Sequence, residues 1–212
     1  MTPDYAKLER GCLEVLSPLP GDAAHDLAHV RRVVGNVRKL AAAEGARLEV
    51  VIPAAWLHDC VFVAKDSPMR GQASRLAATQ AVNWLRDWGW TEEILPAIAH
   101  AIEAHSFSAG IEPRTIEAKV VQDADRLDAI GAVGVARCLM LSGALGRPLY
   151  TDEDPFCEQR EADNGRSAVD HFYAKLLQIA GRMQTESGRR EARSRTEFLK
   201  QFLTELRREI AE

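Results

Sequence analysis

Residues 50–59 read VVIPAAWLHD, an apolar run that ends in a histidine and an aspartate. The run is apolar on every side, and proline suits only the first turn of a helix, so we predict a short helix buried in a protein core. His58 and Asp59 then lie at the end of this helix. A carboxylate beside such a run costs several kcal/mol unless a cation or strong donors compensate, and a metal ion is the simplest partner.

The sequence on either side of this run is also typical of helices. Apolar residues recur at spacings of three and four, whereas period-two alternation of β-branched residues is scarce. We therefore predict an all-α fold. Before the run, a helix with Asp22 as its N-cap is expected to carry an apolar face from Leu27 to Ala41 and to end near Gly45.

After the run, further helices and one long loop are predicted. A helix is expected from Met69 to Trp88, another from Thr91 to about His105, and a third from Pro113, with a break around Gly131 and Gly134. Residues 143–165 collect Gly, Pro, Asp and Glu, which predicts a flexible loop. Two amphipathic helices, with apolar stripes over residues 169–180 and 198–210, close the chain.

The composition limits the class of protein. With 212 residues, 46% of them hydrophobic, the chain fits a single domain spanning residues 1–212. The net charge of -4 and the absence of a sustained basic run argue against a nucleic-acid partner. The four cysteines lie far apart, and neither a signal peptide nor a long apolar segment is evident, so we expect a cytoplasmic protein without a membrane partner. The oligomeric state is left open.

Two more polar features interrupt the apolar pattern. His29 lies in register with Asn36 and Leu40, so it is expected to face partly into the core. Residues 122–128 read QDADRLD, in which three acids crowd an otherwise apolar stretch. Asp125 and Asp128 share one helix face. Like charges this close repel, so a solvated face stays open, whereas the apolar residues that flank the acids favour burial of part of the stretch.

Three segments, in this order, resemble the signature of the HD-domain metal-dependent phosphohydrolases, an all-helical superfamily. They are His29-Val30-Arg31-Arg32-Val33, Leu57-His58-Asp59 and Ala124-Asp125-Arg126-Leu127. The wider context, from about Asp22 to the C-terminus, is similar to a bacterial subgroup of small stand-alone hydrolases. The resemblance implies an HD-domain helical bundle in which His29, His58, Asp59 and Asp125 bind one divalent ion. Mn, Fe, Co, Ni, Zn and Mg all suit such ligands and leave positions open for water and a phosphoryl oxygen.

Residues near this signature are candidates for substrate contact. Lys65, Arg70 and Arg32 are predicted to receive phosphate charge, because phosphoryl transfer benefits from cations that balance the phosphoryl oxygens. His25, near a helix start, and His105, near a helix end, are also predicted to contact the substrate.

Two acidic residues are predicted to have catalytic roles. Asp59 is predicted to take part in catalysis as well as in metal binding. Asp123 either orients the attacking water or pairs with Arg126, and the sequence leaves both open. Related enzymes with two metals use additional histidines from the region of His100 and His105, so a second ion stays open as well.

The same resemblance narrows the substrate. Cys60-Val61-Phe62-Val63 stands where alarmone hydrolases carry a Glu-Asp pair, and no Gly-Tyr-Pro extension of cyclic-di-nucleotide phosphodiesterases is present. We therefore predict hydrolysis of a phosphomonoester or phosphoanhydride, with a nucleotide as substrate. The alternatives are a phosphodiesterase acting on a cyclic or linear diester and a non-catalytic sensing module stabilised by metal. Core positions, and not a base-stacking shelf, are predicted for Trp56, Trp84, Trp88 and Trp90.

Overall fold

The computed structural model describes residues 4–17, 26–63, 67 and 69–210, which form helices and no β-strand. The α-helices are α1 Tyr5–Leu16, α2 Leu27–Glu44, α3 Leu48–Leu57, α4 Ala73–Asp87, α5 Leu95–His105, α6 Ile116–Asp128, α7 Gly131–Ala144, α8 Ala168–Ala174 and α9 Glu186–Ile210. Two short 3₁₀ helices are Arg70–Gln72 and Leu176–Arg182. The predicted all-α class is confirmed.

The chain divides into two compact units, Met1–Asp125 and Arg126–Glu212, and the boundary falls within α6. In the first unit, α3 packs against α1, α2, α4 and α5. In the second unit, α9 packs against α7 and the 3₁₀ helix Leu176–Arg182, and α8 contacts both of these elements. Each unit thus has its own helical packing.

Helix α3 is the core helix that the apolar run predicts. All of its residues from Val50 to Leu57 are buried. The expectation that Pro53 lies in the first turn is wrong, because α3 starts at Leu48 and the proline falls in the second turn. Pro53 cannot donate to the carbonyl of Glu49. The burial of each large apolar side chain contributes roughly 1.5–3 kcal/mol, which offsets this loss.

Helix α2 has nearly the predicted bounds but a different N-cap. Its cap is Asp26, whose carboxylate accepts a hydrogen bond from the backbone N–H of His29 at 2.7 Å. The prediction of Asp22 as the cap is therefore wrong, and Asp22 itself lies outside the described residues. At the other end, Gly45 has a φ of 70°, which glycine adopts without strain.

The next helices are shorter than predicted. The helix expected from Met69 to Trp88 is a 3₁₀ helix followed by α4, which ends at Asp87. The starts expected at Thr91 and Pro113 precede α5 and α6 by a few residues. Local capping signals locate a helix well, but they define its first turn poorly.

The break between α6 and α7 occurs where the glycines predict it. Gly131 has a φ of 77°, and a Cβ atom on Gly134 would lie 2.3 Å from the carbonyl oxygen of Ala129. Both positions therefore need glycine. Together, as a bent pair, α6 and α7 have the length and composition of a membrane span, whereas no single helix in the described part of the chain does.

The long loop of the second unit is attached to α8. Helix α7 extends through Ala144, so the irregular segment runs over residues 145–167. The carboxylate of Asp170 in α8 is fully buried and accepts hydrogen bonds from the Arg160 guanidinium at 2.5 and 3.0 Å. It also accepts from the backbone N–H of Asp163 at 2.9 Å and from the Ser167 hydroxyl at 2.6 Å. The predicted flexibility of this loop stays a prediction.

Candidate metal centre

The candidate side chains belong to the first unit and lie on or directly after four helices. His29 is in the first turn of α2, while His58 and Asp59 directly follow α3. His105 is the last residue of α5, and Asp125 lies in the last turn of α6. Residues widely separated in sequence thereby meet at helix ends, where the backbone leaves room for polar side chains.

His29, His58 and Asp125 form a first group. The Nε2 atoms of His29 and His58 lie 3.3 Å apart. Oδ1 of Asp125 is 3.5 Å from the His29 nitrogen and 3.8 Å from the His58 nitrogen. Donor atoms that bind one ion at about 2.1 Å lie roughly 3.0–3.4 Å from each other. The spacing in this group is close to that of ligands to a common cation.

Asp59 joins a second group that shares His58 with the first. Its Oδ2 atom lies 3.5 Å from Nε2 of His58, and its Oδ1 atom lies 3.4 Å from Nε2 of His105. The four predicted ligands therefore occur in two overlapping groups of three, and His105 completes the second one. His105 was predicted to contact substrate, and its place beside Asp59 is the feature that the sequence did not indicate.

The hydrogen bonds of the imidazole rings define which nitrogen faces the centre. Nδ1 of His58 lies 2.8 Å from the carbonyl oxygen of Ala55, and Nδ1 of His105 lies 2.6 Å from that of Ile102. A carbonyl accepts only, so in each ring Nδ1 carries the proton and donates it. The Nε2 atom of His58 then faces the other polar groups with its lone pair, as in metal-binding histidines.

The pKa values of the two rings move in opposite directions. Burial lowers the pKa of His58, and the charge of Asp59 only partly opposes this effect. Burial also lowers the pKa of His105, but the hydrogen bond and charge of Asp59 outweigh it, so the pKa is raised. The lowered pKa favours the neutral, metal-binding form of His58, whereas the raised pKa favours the protonated form of His105 beside Asp59.

Burial is unequal across the centre. The rings of His29, His58 and His105 are buried, whereas the side chains of Asp59 and Asp125 are 35% and 28% exposed. The centre therefore opens to solvent on its carboxylate side. Buried imidazole nitrogens with an adjacent pair of carboxylates are donors that fit a divalent cation. The opening leaves a path for water and substrate.

Two buried amides hold these helices in register. The side-chain amide of Asn36 in α2 donates to the carbonyl of Ala124 at 3.1 Å, next to Asp125. The amide of Gln122 in α6 donates to the carbonyl of Ala104 at 2.6 Å, next to His105. Neither amide was predicted to belong to the site. In the sequence, each is a neutral polar side chain on an apolar helix face. Such a side chain indicates a contact between helices only when its partner carbonyl is known.

The predicted substrate-contacting residues have varied surroundings. His25 and Lys65 lie outside the described residues. Arg32 is half-buried in α2, and a guanidinium nitrogen of Arg70 donates to the carbonyl of Val63 at 2.9 Å. Their roles toward substrate stay predictions.

Two polar residues near the signature are not in either group. Asp123 is fully buried, and its catalytic role stays a prediction. His100 accepts a hydrogen bond from the backbone N–H of Arg114 at 3.1 Å, which agrees with a structural role.

Comparison with known proteins identifies the family. The family model described as HD domain matches residues 26–130, a range that includes every member of the two groups. The chain belongs to the HD-domain superfamily, whose members are metal-dependent phosphohydrolases.

Several relatives cover nearly the whole chain. YpgQ of Bacillus subtilis is 36% identical over 192 residues, which are 89% of this chain and 85% of YpgQ. A crystal structure of YpgQ in complex with ADP has a TM-score of 0.74 at 34% identity and covers 96% of this chain and 97% of that one. A crystal structure of an HD-superfamily hydrolase from Bacillus thuringiensis has a TM-score of 0.76 at 29% identity and covers 99% of both chains.

Proposed function

We propose that the protein hydrolyses a phosphomonoester or phosphoanhydride bond of a nucleotide, and that His29, His58, Asp59 and Asp125 bind one divalent ion for this reaction. The observation that carries the proposal is the 3.3 Å separation of the His29 and His58 Nε2 atoms, with both carboxylates within 3.8 Å of His58. Two imidazole nitrogens and two carboxylates at these distances are a donor set that suits a divalent cation.

A nucleotide substrate is supported by a relative. YpgQ has been crystallised with ADP, a nucleoside diphosphate, and it is similar to this chain over nearly its full length. The proposed substrate class is therefore a molecule with a base, a sugar and one or more phosphates. The single domain over residues 1–212, the cytoplasmic location and the absence of nucleic-acid and membrane partners stay predictions.

The proposed roles follow from charge and exposure. A divalent ion supplies a Lewis acid that polarises a phosphoryl oxygen and lowers the pKa of a water ligand. Asp59 presents Oδ1 to His105 on the exposed side, where the pair can hold or accept a proton. Asp123 is proposed to orient water. Substrate phosphate would be balanced by Arg32, Arg70 and Lys65, together with His25 and His105.

The test is metal analysis of the purified protein followed by phosphate release from a nucleotide panel with Mn, Co, Ni, Zn or Mg. Because a metal contributes several kcal/mol to such a reaction, we expect His58→Ala to reduce the rate by at least about 100-fold. The matched control is His171→Asn, which changes a histidine of the second unit and should leave the rate unchanged.

Each other outcome has a defined meaning. Cleavage of bis-p-nitrophenyl phosphate without release from any nucleotide would favour the phosphodiesterase alternative. If His58→Ala lowered the melting temperature and no substrate turned over with any metal, the chain would instead be a metal-stabilised sensing module. Equal rates in His58→Ala and the wild type would contradict the metal centre itself.

A further inference from the structure

A buried glutamine contacts the helix end that carries His105. Gln122 lies in α6 and is only 3% exposed, and its side-chain amide donates to the carbonyl of Ala104 at 2.6 Å. Both residues belong to the first unit. The carbonyl lies in the last turn of α5, where backbone oxygens have no partner within the helix. Gln122 therefore supplies a donor that the helix itself lacks.

This hydrogen bond constrains the backbone of His105. The carbonyl of Ala104 and the backbone nitrogen of His105 belong to one peptide group, which is planar. An amide that holds the oxygen therefore orients the plane from which the histidine side chain starts. Because the donor comes from α6, it defines the position of His105 relative to the helix that also carries Asp125.

The ring of His105 has polar contacts at both nitrogens. Nδ1 donates to the carbonyl of Ile102 at 2.6 Å, and Nε2 lies 3.4 Å from Oδ1 of Asp59. The ring also meets the ring of His58 edge to face, with centroids 4.9 Å apart. A displacement of the backbone of His105 would therefore move Nε2 relative to two of the proposed metal ligands.

The amide of Gln122 is poorly suited to a role in stability alone. Its oxygen, Oε1, is buried and has no hydrogen-bond partner within the part of the chain that the structure describes. A buried acceptor without a partner costs at least as much free energy as one neutral hydrogen bond contributes. An apolar side chain of similar length would therefore stabilise the fold about as well. What the amide adds is the direction of its one hydrogen bond.

From these observations, and resting on the proposed function, we infer that Gln122 is a positioning residue for the hydrolysis, and that it acts by holding His105 beside Asp59. In the proposed function, this pair holds or accepts a proton on the exposed side of the centre. Proton transfer requires heavy atoms about 2.6–3.2 Å apart. A separation of 3.4 Å can therefore increase little before the transfer is lost.

The test is a double-mutant cycle between Gln122 and His105. Gln122→Met removes the donor and the unpaired oxygen but keeps the length of the side chain. At saturating metal and nucleotide, we expect this change to lower kcat about 10-fold. His105→Ala should lower kcat about 100-fold. In the His105→Ala background, Gln122→Met should have no further effect, because the residue that it positions is absent.

Two controls test whether the loss is specific. Gln122→Met should shift the melting temperature by no more than about 4 °C in either direction. Gln178 is an exposed glutamine of the second unit whose amide donates to the carbonyl of Tyr173 at 3.3 Å, and Gln178→Met should leave kcat unchanged. Gln122→Leu removes the same polar atoms and provides the test if the methionine variant does not fold.

A measurement on the chain without metal or nucleotide tests the positioning alone. NMR spectra that correlate the carbon-bound ring protons with the ring nitrogens report on each histidine, and His105→Ala identifies the signals of His105. In Gln122→Met, we expect these signals to shift or broaden, because the ring is no longer held in one position. The signals of His171, in the second unit, should stay unchanged.

The outcomes separate this inference from the proposed function. An equal fall in kcat on Gln122→Met with and without His105 would overturn the inference, as would unchanged kcat in Gln122→Met or in His105→Ala. Unchanged His105 signals in Gln122→Met would overturn it too. If the wild type hydrolysed no nucleotide while the His105 signals changed as expected, the proposed reaction would be wrong and the positioning of His105 by Gln122 would stand.

Discussion

Asn36 connects two of the helices that carry candidate ligands. It lies on α2, as His29 does, and its amide donates to the carbonyl of Ala124, the residue before Asp125. Because the amide is buried, Asn36→Ala should lower the free energy of unfolding by about 1–3 kcal/mol. It should also weaken Mn²⁺ binding by about 10-fold or more, because the lost contact holds the backbone directly before the proposed ligand Asp125. Chemical denaturation and metal titration measure the two effects.

A second asparagine provides the control for this prediction. Asn83 is exposed on α4, accepts a hydrogen bond from Arg86 at 3.3 Å and belongs to neither candidate metal group. Asn83→Ala should change stability by no more than about 0.5 kcal/mol and leave metal affinity unchanged. If Asn36→Ala lowered stability but kept the metal affinity of the wild type, Asn36 would support the core only and would not position Asp125.

At the scale of the element, helices were predictable where periodicity and a terminating glycine agreed. Two features were predictable for this reason: the end of α2 at Gly45 and the helix break at Gly131. Helix starts were harder, since Asp22 and Asp26 are both good N-caps and only the folded chain selects one. Pro53 was misplaced for a related reason, because tertiary burial of α3 tolerates a proline that an isolated helix would exclude.

The attachment of the long loop to α8 predicts a pH-dependent stability. The Arg160 guanidinium holds the pKa of Asp170 well below its usual range, although burial of the carboxyl opposes this. Because the unfolded chain takes up the proton first, near pH 4, the contribution of Asp170 is complete above that pH and is lost as the pH falls. Asp170→Asn should lower the free energy of unfolding by about 3 kcal/mol at pH 6, and by progressively less below pH 4.

Urea denaturation at a series of pH values measures this difference. Asp152→Asn, in the same loop but exposed, is the matched control and should follow the wild type within about 0.5 kcal/mol at every pH. A wild-type advantage over Asp170→Asn that stayed constant from pH 6 to pH 3 would contradict the ion pair as its source. The contacts of Asp170 would then act through packing alone.

At the scale of the whole molecule, the candidate site was more predictable than the surroundings that complete it. His29, His58 and Asp125 could be selected because polar side chains interrupt apolar faces, and the order of these residues resembles one superfamily. The contact of His105 with Asp59 could not be selected, because it depends on how α5 packs against α3. Long-range packing of this kind leaves no local pattern in a single sequence.

Metal binding should stabilise the folded chain, and a buried thiol far from the ligands in sequence can report it. Cys12 in α1 is fully buried, and burial raises the pKa of its thiol, so alkylation requires opening of the fold. With free Mn²⁺ at about 100 times its dissociation constant, mass action adds about 2.7 kcal/mol. When the opened chain refolds faster than its thiol is alkylated, alkylation of Cys12 should slow by about 100-fold.

In His58→Ala, addition of Mn²⁺ should have little effect on the alkylation rate, because a metal ligand is lost. An unstructured peptide with one thiol controls for any action of the metal on the alkylating reagent. Equal slowing in wild type and His58→Ala would place the stabilising ion somewhere other than between His29 and His58.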